Sequence, residues 1–191
     1  MLVMKKNFFS AQTHFIGVLL NEDITQTLEN CRLYMNKTYG CKSGYGTPIH
    51  ITLVPPFRLP DEYNSADLAK IIEHDVLSGS KDFKFNARIE NFDAFGDRTI
   101  FAKVVQDEKW NDLRNSVLTA LLNFAPNCTK KDKSVFTPHI TVANRDIPLG
   151  VSKEALSVMN ELDLNENFLL DNISIFERHG GKWIVVYSLS L

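Results

Sequence analysis

The chain carries one short motif in two places that are far apart in the sequence. His-Ile-Thr occurs at 50–52 and again at 139–141, in both cases inside an apolar run and shortly after a proline. Side chains of a β-strand alternate between its two faces, so each histidine shares a face with its threonine while the isoleucine points to the opposite face. The sequence therefore places the same polar pair on one face of two separate strands.

The elements around the two motifs follow the same order. Periodicity predicts strand, helix, motif strand, helix and strand in each half of the chain. The two histidines are 89 positions apart, and the starts of the two repeats (13 and 98) and of their last strands (83 and 168) are each 85 apart. This regularity indicates an internal duplication, with repeats at approximately 13–92 and 98–177 and a C-terminal strand at 182–190. We expect residues 1–191 to form a single bilobal domain.

Spacing and punctuation give the element boundaries. Strands are predicted at 13–20, 48–54, 83–89, 99–105, 138–143, 168–177 and 182–191, and helices around the apolar stripes within 24–35, 65–76, 110–124 and 152–162. Expected helix caps and ends are Asn21, Gly40, Asn64 or Ser65, and 78–80. Pro55 and Pro56 are expected to end the first motif strand, because proline cannot donate to a sheet ladder. The polar stretch 128–134 is expected to be an exposed loop.

This order predicts an α+β fold with two similar lobes. Each lobe would have a mainly antiparallel sheet with helices on its outer face, and a pseudo-twofold axis would relate the lobes across a central groove. The isoleucine of each motif would anchor its strand to the helices. Both His-Thr pairs would then meet in the shared groove.

Composition narrows the class of protein. With 44% hydrophobic residues the chain can form a packed core, and a formal charge of −2 gives no global basic field for duplex DNA. The three cysteines are an odd number without CxxC spacing, so they indicate neither a disulfide framework nor a zinc knuckle, and a reducing compartment fits best. No run reaches the roughly 20 apolar residues that span a bilayer. We therefore expect a cytoplasmic monomer that binds neither duplex DNA nor a membrane.

The paired histidines suit acid–base chemistry on a phosphodiester. Opening a cyclic phosphate requires a base that takes a proton from water and an acid that gives one to the leaving ribose oxygen, and histidine does either near neutral pH. Threonine hydroxyls can hold the nonbridging oxygens. A single such motif is more often a hydrogen-bonded core histidine than a catalyst. Two motifs at equivalent places favour a catalytic set of His50, Thr52, His139 and Thr141, and leave open which histidine is the acid.

With these motifs the sequence resembles the 2H phosphoesterase superfamily, the LigT-like 2′,5′ RNA ligase and cyclic phosphodiesterase group, whose mark is two copies of His-x-Thr/Ser. HITLVPPF (50–57) and FTPHITVANR (136–145) look like the family's two motifs, and KWIVVYSLSL is similar to its final strand. The resemblance implies metal-independent chemistry without a cofactor on an RNA end or a small nucleotide. Members often have a basic residue soon after each motif, whereas here Val54 and Pro55 follow the first, and Arg145 stands one place later than expected after the second.

Three further residues are candidates for substrate binding, and each has a structural alternative. Tyr45, in a Gly-rich entry to the first motif strand, or Phe57 could stack a nucleobase at the mouth of the groove. Phe57 could equally be a core aromatic. Arg145 could meet a phosphate or be an ordinary surface arginine. The remaining histidines have no repeated partner or metal-ligand spacing, and we expect them to be structural or exposed, with no metal site: His14, His74 and His179.

Together these features predict a metal-independent phosphodiesterase that hydrolyses 2′,3′-cyclic phosphates or 2′,5′-linked (oligo)nucleotides, with 2′,5′ RNA ligation as the reverse reaction. One alternative is a noncatalytic RNA- or nucleotide-binding module of the same fold. Two retained histidines argue against it, because anion binding alone favours arginine or lysine. The other alternative is a structural or interaction protein, in which the two histidines would be buried and would share no cavity.

Overall fold

A computed structural model describes residues 12–79, 81–129 and 135–191. Its strands are β1 (His14–Leu19), β2 (His50–Phe57), β3 (Phe85–Phe95), β4 (Thr99–Val104), β5 (His139–Asn144), β6 (Asn165–Leu170), β7 (Asn172–His179) and β8 (Lys182–Ser190). Its helices are α1 (Glu22–Tyr39), α2 (Ser65–Ile72), α3 (Glu108–Phe124) and α4 (Ser152–Asn160), and a π-helical turn at Glu73–Leu77 continues α2. Position 80 of the predicted helix end and 130–134 of the predicted loop lie outside the described residues.

Within the described residues the strands form two four-stranded antiparallel sheets, in the orders β2-β1-β7-β8 and β5-β4-β3-β6. Each motif strand, β2 or β5, is at one edge of its sheet, and these two edges approach each other. Helix α1 packs against β5 and α3 against β2, so each long helix reaches the motif strand of the opposite sheet. The predicted bilobal α+β fold with antiparallel sheets is confirmed.

The two sheets take strands from both halves of the chain. β7, from the second half, pairs with β1, and β3, from the first half, pairs with β4. Each predicted repeat therefore contributes its last strand to the sheet of the other repeat. The repeat boundaries at 13–92 and 98–177 stay a prediction, but neither segment contains all the strands of one sheet.

The strand predicted at 168–177 is two strands in different sheets. β6 pairs with β3 and β7 pairs with β1, and the chain crosses between the sheets at Asp171. The Asn172 side chain fixes the crossing, because it accepts a hydrogen bond from Leu19 N at 2.9 Å and donates one to Leu19 O at 3.0 Å. The apolar run concealed the break, since both strands bury residues in the core.

Pro55 and Pro56 do not end β2, contrary to the prediction. The strand continues to Phe57, which pairs with His14 of β1. An irregularity in the β1–β2 register lies beside the two prolines, so neither proline has to donate to the ladder. An edge strand tolerates proline in this way, because only one of its sides is paired.

The helix caps follow the prediction where side-chain chemistry sets them. The Asn21 side chain accepts a hydrogen bond from Ile24 N, and Gly40 ends α1 at φ 73° in the left-handed region. Asn64 and Asp67 form a capping box at the start of α2. The buried apolar residues join both sheets and the helices in one continuous core. None of the helices in the described ranges has the length and apolarity that crossing a bilayer requires.

Candidate active site

The two motif strands present the same pattern of burial. In β2, His50 and Thr52 are partly exposed, whereas Ile51 between them is fully buried. In β5, His139 and Thr141 repeat this arrangement. The alternation of a strand thus keeps the apolar residue in the core and leaves the imidazole and hydroxyl of each motif accessible.

Each imidazole is held by its own strand in the same way. His50 Nδ1 lies 2.7 Å from the carbonyl oxygen of Pro48, and His139 Nδ1 lies 2.7 Å from that of Thr137. A carbonyl oxygen only accepts hydrogen bonds, so each Nδ1 carries the proton of the neutral ring. In both neutral rings Nε2 then keeps its lone pair and is the nitrogen that can accept a proton.

Two adjoining clefts lie at these polar faces. The His50 cleft has a volume of about 370 Å³ and includes Thr52 and Thr141 in its lining. The His139 cleft has a volume of about 340 Å³ and also includes Thr52. Because Thr52 lines both clefts, the structure brings the four residues of the expected catalytic set into one region, although their catalytic role stays a prediction.

His50 lies among aromatic rings. Its ring centroid is 4.7 Å from that of Phe15 and 5.1 Å from that of Phe176. Burial lowers the pKa of His50 to about 4, against the opposing effect of the hydrogen bond to the backbone carbonyl, and the positive charge of Arg32 lowers it further. His50 is therefore neutral near pH 7 in the free protein.

His139 has a more open aromatic environment. Its ring centroid is 5.0 Å from that of Phe95 and 5.2 Å from that of Phe101, and Phe95 is 45% exposed. Burial also lowers the pKa of His139, while the hydrogen bond to the Thr137 carbonyl opposes the shift. The shift is larger at His50. His139 thus holds a proton more readily than His50.

Arg32 of α1 connects the two motif strands and was not identified from the sequence. It is only 3% exposed, and its Nη1 donates to the Thr47 carbonyl at 2.6 Å while Nη2 donates to the Thr141 carbonyl at 3.2 Å. Thr47 lies three positions before His50, so one guanidinium fixes the entry to β2 against the backbone of β5. Burial lowers the pKa of Arg32, and the carboxylate of Glu29, 3.1 Å from Nη1, opposes this shift.

A sequence signal for Arg32 does exist. It lies four positions after Leu28 and three before Met35, and both of these residues are on the buried face of α1. A charged residue at the edge of an apolar helical stripe has to find polar partners when it is buried. The partners, however, come from segments that the local spacing does not reveal.

The His50 cleft also contains Arg145 and Arg178, and none of its described lining residues is acidic. Arg145 follows β5 directly and was a predicted phosphate ligand; its φ of 71° is left-handed. Arg178 is near the end of β7, with its Cζ 5.9 Å from the ring centre of Trp183 in β8. The sequence reasoning missed Arg178 and Trp183, because both come from the final hairpin, far from either motif.

The two predicted aromatic ligands have different positions. Tyr45 is 50% exposed, and although it is not part of the lining, its neighbours Ser43 and Gly44 line the His50 cleft. Phe57 is 2% exposed and stacks on His14 in the core, with ring centroids 6.0 Å apart. The structure therefore places Phe57 in its core alternative rather than at the mouth of the groove.

The other histidines lie outside both clefts. His14 is buried and bonds to Ser65 Oγ at 2.9 Å, whereas His74 and His179 are exposed beside carboxylates. Among residues 12–79, 81–129 and 135–191, no group of three or more His, Cys, Asp or Glu side chains is arranged to hold a metal ion.

Two antiparallel sheets whose edge strands bring His-x-Thr pairs to adjoining clefts define the architecture of a 2H phosphoesterase. The family model of the 2′-5′ RNA ligase superfamily matches residues 20–182, and the chain belongs to this superfamily. The resemblance proposed from the two motifs is thereby confirmed.

Solved structures share this fold at low sequence identity. TT0787 of Thermus thermophilus is 17% identical with a TM-score of 0.64, over 94% of this chain and 97% of that chain. LigT of E. coli, complexed with 3′-AMP, is 14% identical with a TM-score of 0.66, over 94% and 98%. Usb1 of Kluyveromyces marxianus, with uridine monophosphate, is 12% identical with a TM-score of 0.51, over 94% and 99%. No curated protein matches the sequence significantly.

Proposed function

We propose that the protein is a phosphodiesterase that hydrolyses 2′,3′-cyclic phosphates or 2′,5′-linked (oligo)nucleotides, with His50 and His139 as a general acid–base pair. One observation carries this proposal. The two imidazoles have equal 2.7 Å bonds from Nδ1 to a backbone carbonyl, and they line clefts that meet at Thr52. Two rings that each offer Nε2 to one region supply both proton transfers of a phosphodiester displacement.

The unequal pKa values favour one assignment of roles in hydrolysis. His50, with its pKa lowered to about 4, is the neutral base, and His139, which is less strongly shifted, is the acid. A bound phosphate anion raises the pKa of both imidazoles, which strengthens the base and keeps the acid protonated. The positive charge of a protonated His139 also lowers the pKa of His50, so a protonated acid keeps the base neutral.

Each atom of the displacement has a destination. The oxygen of water forms a bond to phosphorus as one water proton passes to His50 Nε2, and the bond from phosphorus to the ribose 2′ or 3′ oxygen breaks. The leaving oxygen receives the proton of His139 Nε2. The hydroxyls of Thr52 and Thr141 donate to the nonbridging oxygens, whose negative charge increases in the transition state. In ligation a 5′-hydroxyl takes the place of water: its oxygen bonds to the phosphorus of a 2′,3′-cyclic phosphate as its proton passes to one histidine, the bond from phosphorus to the 3′ oxygen breaks, and that oxygen receives the proton of the other histidine.

A substrate panel tests this function. We expect turnover within a set of 2′,3′-cyclic nucleotides, 2′,5′-oligoadenylates and ADP-ribose cyclic phosphate, with the product isomer identified by chromatography. His50→Ala and His139→Ala should each lose about 10²- to 10⁴-fold in rate. His74→Ala, an exposed histidine outside both clefts, is the matched control. Activity should persist in EDTA, because the proposed path moves both protons through imidazoles.

A noncatalytic nucleotide-binding module is the second candidate, and the arginines of the His50 cleft favour it independently of the histidines. In that case the parent would bind nucleotides without turning any of them over, and both alanine variants would bind them equally well. Hydrolysis at parental rates by both variants would remove the histidines from the mechanism altogether.

A further inference from the structure

The charge of the His50 cleft exceeds what one phosphodiester requires. Arg32, Arg145 and Arg178 line this cleft and no acidic residue is found among its described lining residues, although the chain as a whole has a formal charge of −2. A phosphodiester has a single negative charge, and a cationic imidazole already faces it in the proposed mechanism. Concentrated positive charge in a cleft raises the local concentration of anionic groups.

The three arginines are not equivalent. Arg32 is buried, its two terminal nitrogens donate to backbone carbonyls, and its Nη1 also pairs with the Glu29 carboxylate at 3.1 Å, so its donors and part of its charge are already used within the protein. Within the described part of the chain, neither Arg145 nor Arg178 forms an ion pair with a carboxylate. Two guanidinium groups therefore remain available for the oxygens of a ligand, and their planar donors suit phosphate.

Arg178 lies close to an aromatic residue that packs against His50. Phe176, whose ring centroid is 5.1 Å from that of His50, and Arg178 are two positions apart in β7. They share a sheet face and are separated by about 6 to 7 Å along the strand. Trp183 pairs with Arg178 in β8 and holds the guanidinium over its ring. This arrangement gives a fixed cation beyond the catalytic pair.

We propose that Arg178, together with Arg145, binds a second phosphate of the substrate. This inference rests on the proposed function, and it specifies the substrate class. The phosphodiester that is cleaved would belong to a molecule with a further phosphate, such as a 5′-phosphorylated nucleotide, an RNA end or a short oligonucleotide. A nucleoside 2′,3′-cyclic phosphate would be a minimal substrate that leaves this subsite empty.

The test compares two substrates that differ by one phosphate. We expect kcat/KM for adenosine 2′,3′-cyclic phosphate to rise by about 10- to 100-fold when a 5′-phosphate is added, as charge-assisted hydrogen bonds of arginine to phosphate allow. Arg178→Gln should bring the two substrates to within about threefold of each other, while Arg178→Lys should retain part of the preference. Arg88→Gln, an exposed arginine on β3 outside the cleft, is the matched control and should keep the full preference.

Binding separates failure of this inference from failure of the proposed function. The dissociation constants of adenosine 3′,5′-bisphosphate and adenosine 3′-phosphate are measured on the parent and on Arg178→Gln, whether or not either protein turns over a substrate. Tighter binding of the bisphosphate by the parent, lost in Arg178→Gln with an unchanged Tm, supports the subsite. Equal affinities in the parent, or a preference that survives both Arg178→Gln and Arg145→Gln, would overturn it.

Discussion

His50 and His139 occupy corresponding positions in their sheets, but their surroundings differ. Both rings donate to a backbone carbonyl two residues earlier, at 2.7 Å. Their threonine partners, however, face different neighbours, because Gly17 of β1 pairs with Thr52 whereas Phe101 of β4 pairs with Thr141. The local sequence therefore gives the two rings the same tautomer, and the neighbouring strand gives them different environments.

Steric crowding explains why position 17 is a glycine. A Cβ at Gly17 would lie 2.6 Å from the carbonyl oxygen of Ile51, closer than a side chain can approach. The same Cβ would lie 3.5 Å from the ring of Phe176, which packs against His50 together with Phe15. In the other sheet, Phe101 occupies the equivalent position, and the His139 ring is flanked by Phe101 and by the partly exposed Phe95. A single difference in side-chain size thus accompanies unequal burial of the two imidazoles.

The largest expected effect concerns the pH dependence of activity. Burial lowers the pKa of both histidines, to about 4 for His50. A plot of kcat/KM against pH should therefore be bell-shaped, with its maximum below pH 6.5. Protonation of His50 gives the acid limb and deprotonation of His139 the basic limb. In His139→Asn, kcat/KM at the optimal pH should fall by about 10²- to 10⁴-fold, and the basic limb of the profile should disappear. A variant that instead loses the acid limb would reverse the assigned roles.

Arg32→Met should have the next largest effect. It removes the bridge between the Thr47 and Thr141 carbonyls, and we expect kcat/KM to fall by about 10- to 100-fold. The acid limb should also shift to higher pH, because the positive charge of Arg32 lowers the pKa of His50.

Arg32→Lys separates these two contributions. Lysine keeps the charge but not the two-point bridge, so the acid limb should return to its parental position while the rate recovers only in part. Arg88→Met serves as the exposed control. If the acid limb of Arg32→Met stays at its parental pH while the Tm is unchanged, the positive charge of Arg32 does not lower the pKa of His50.

The low pKa of His50 should also make the free energy of unfolding depend on pH. Its pKa is about 4 in the folded protein and near 6.5 when unfolded, so the unfolded chain binds more protons between these values and stability falls as pH decreases through that range. In His50→Gln the fall in unfolding free energy between pH 7 and 4 should be smaller by about 1 to 3 kcal/mol. Denaturant unfolding at a series of pH values measures it, with His74→Gln as the control.

The smallest expected effect is that of Phe95→Ala. Phe95 is 45% exposed and covers one edge of His139, so its removal should admit water and raise the pKa of His139 towards its ordinary value. The basic limb should move to higher pH by less than about one unit. Titration of the His139 ring by NMR would measure its pKa directly. If the pKa of His139 falls in Phe95→Ala, burial by Phe95 is not what lowers it in the parent.

Helix boundaries and the burial pattern of the strands could be predicted from the local sequence. Asn21 and Gly40 bounded α1 as their capping preferences require, and alternation placed Ile51 in the core beneath His50 and Thr52. Two predictions failed where pairing overrode local preference. Pro55 and Pro56 are tolerated within β2 because an edge strand has one unpaired side, and 168–177 divides at Asp171 because its halves pair with different sheets.

The two motifs, their tautomer-setting carbonyls and the antiparallel α+β architecture were determined by the sequence, since they depend on strand alternation and short-range hydrogen bonds. The exchange of β3 and β7 between the sheets, the bridge formed by Arg32, and the placement of Arg145 and Arg178 in the lining of one cleft were decided only by the tertiary structure. These features join residues that are distant along the chain, and no local spacing encodes such contacts. The inequality of the two histidines has the same origin, because burial by neighbouring strands sets the pKa of each ring.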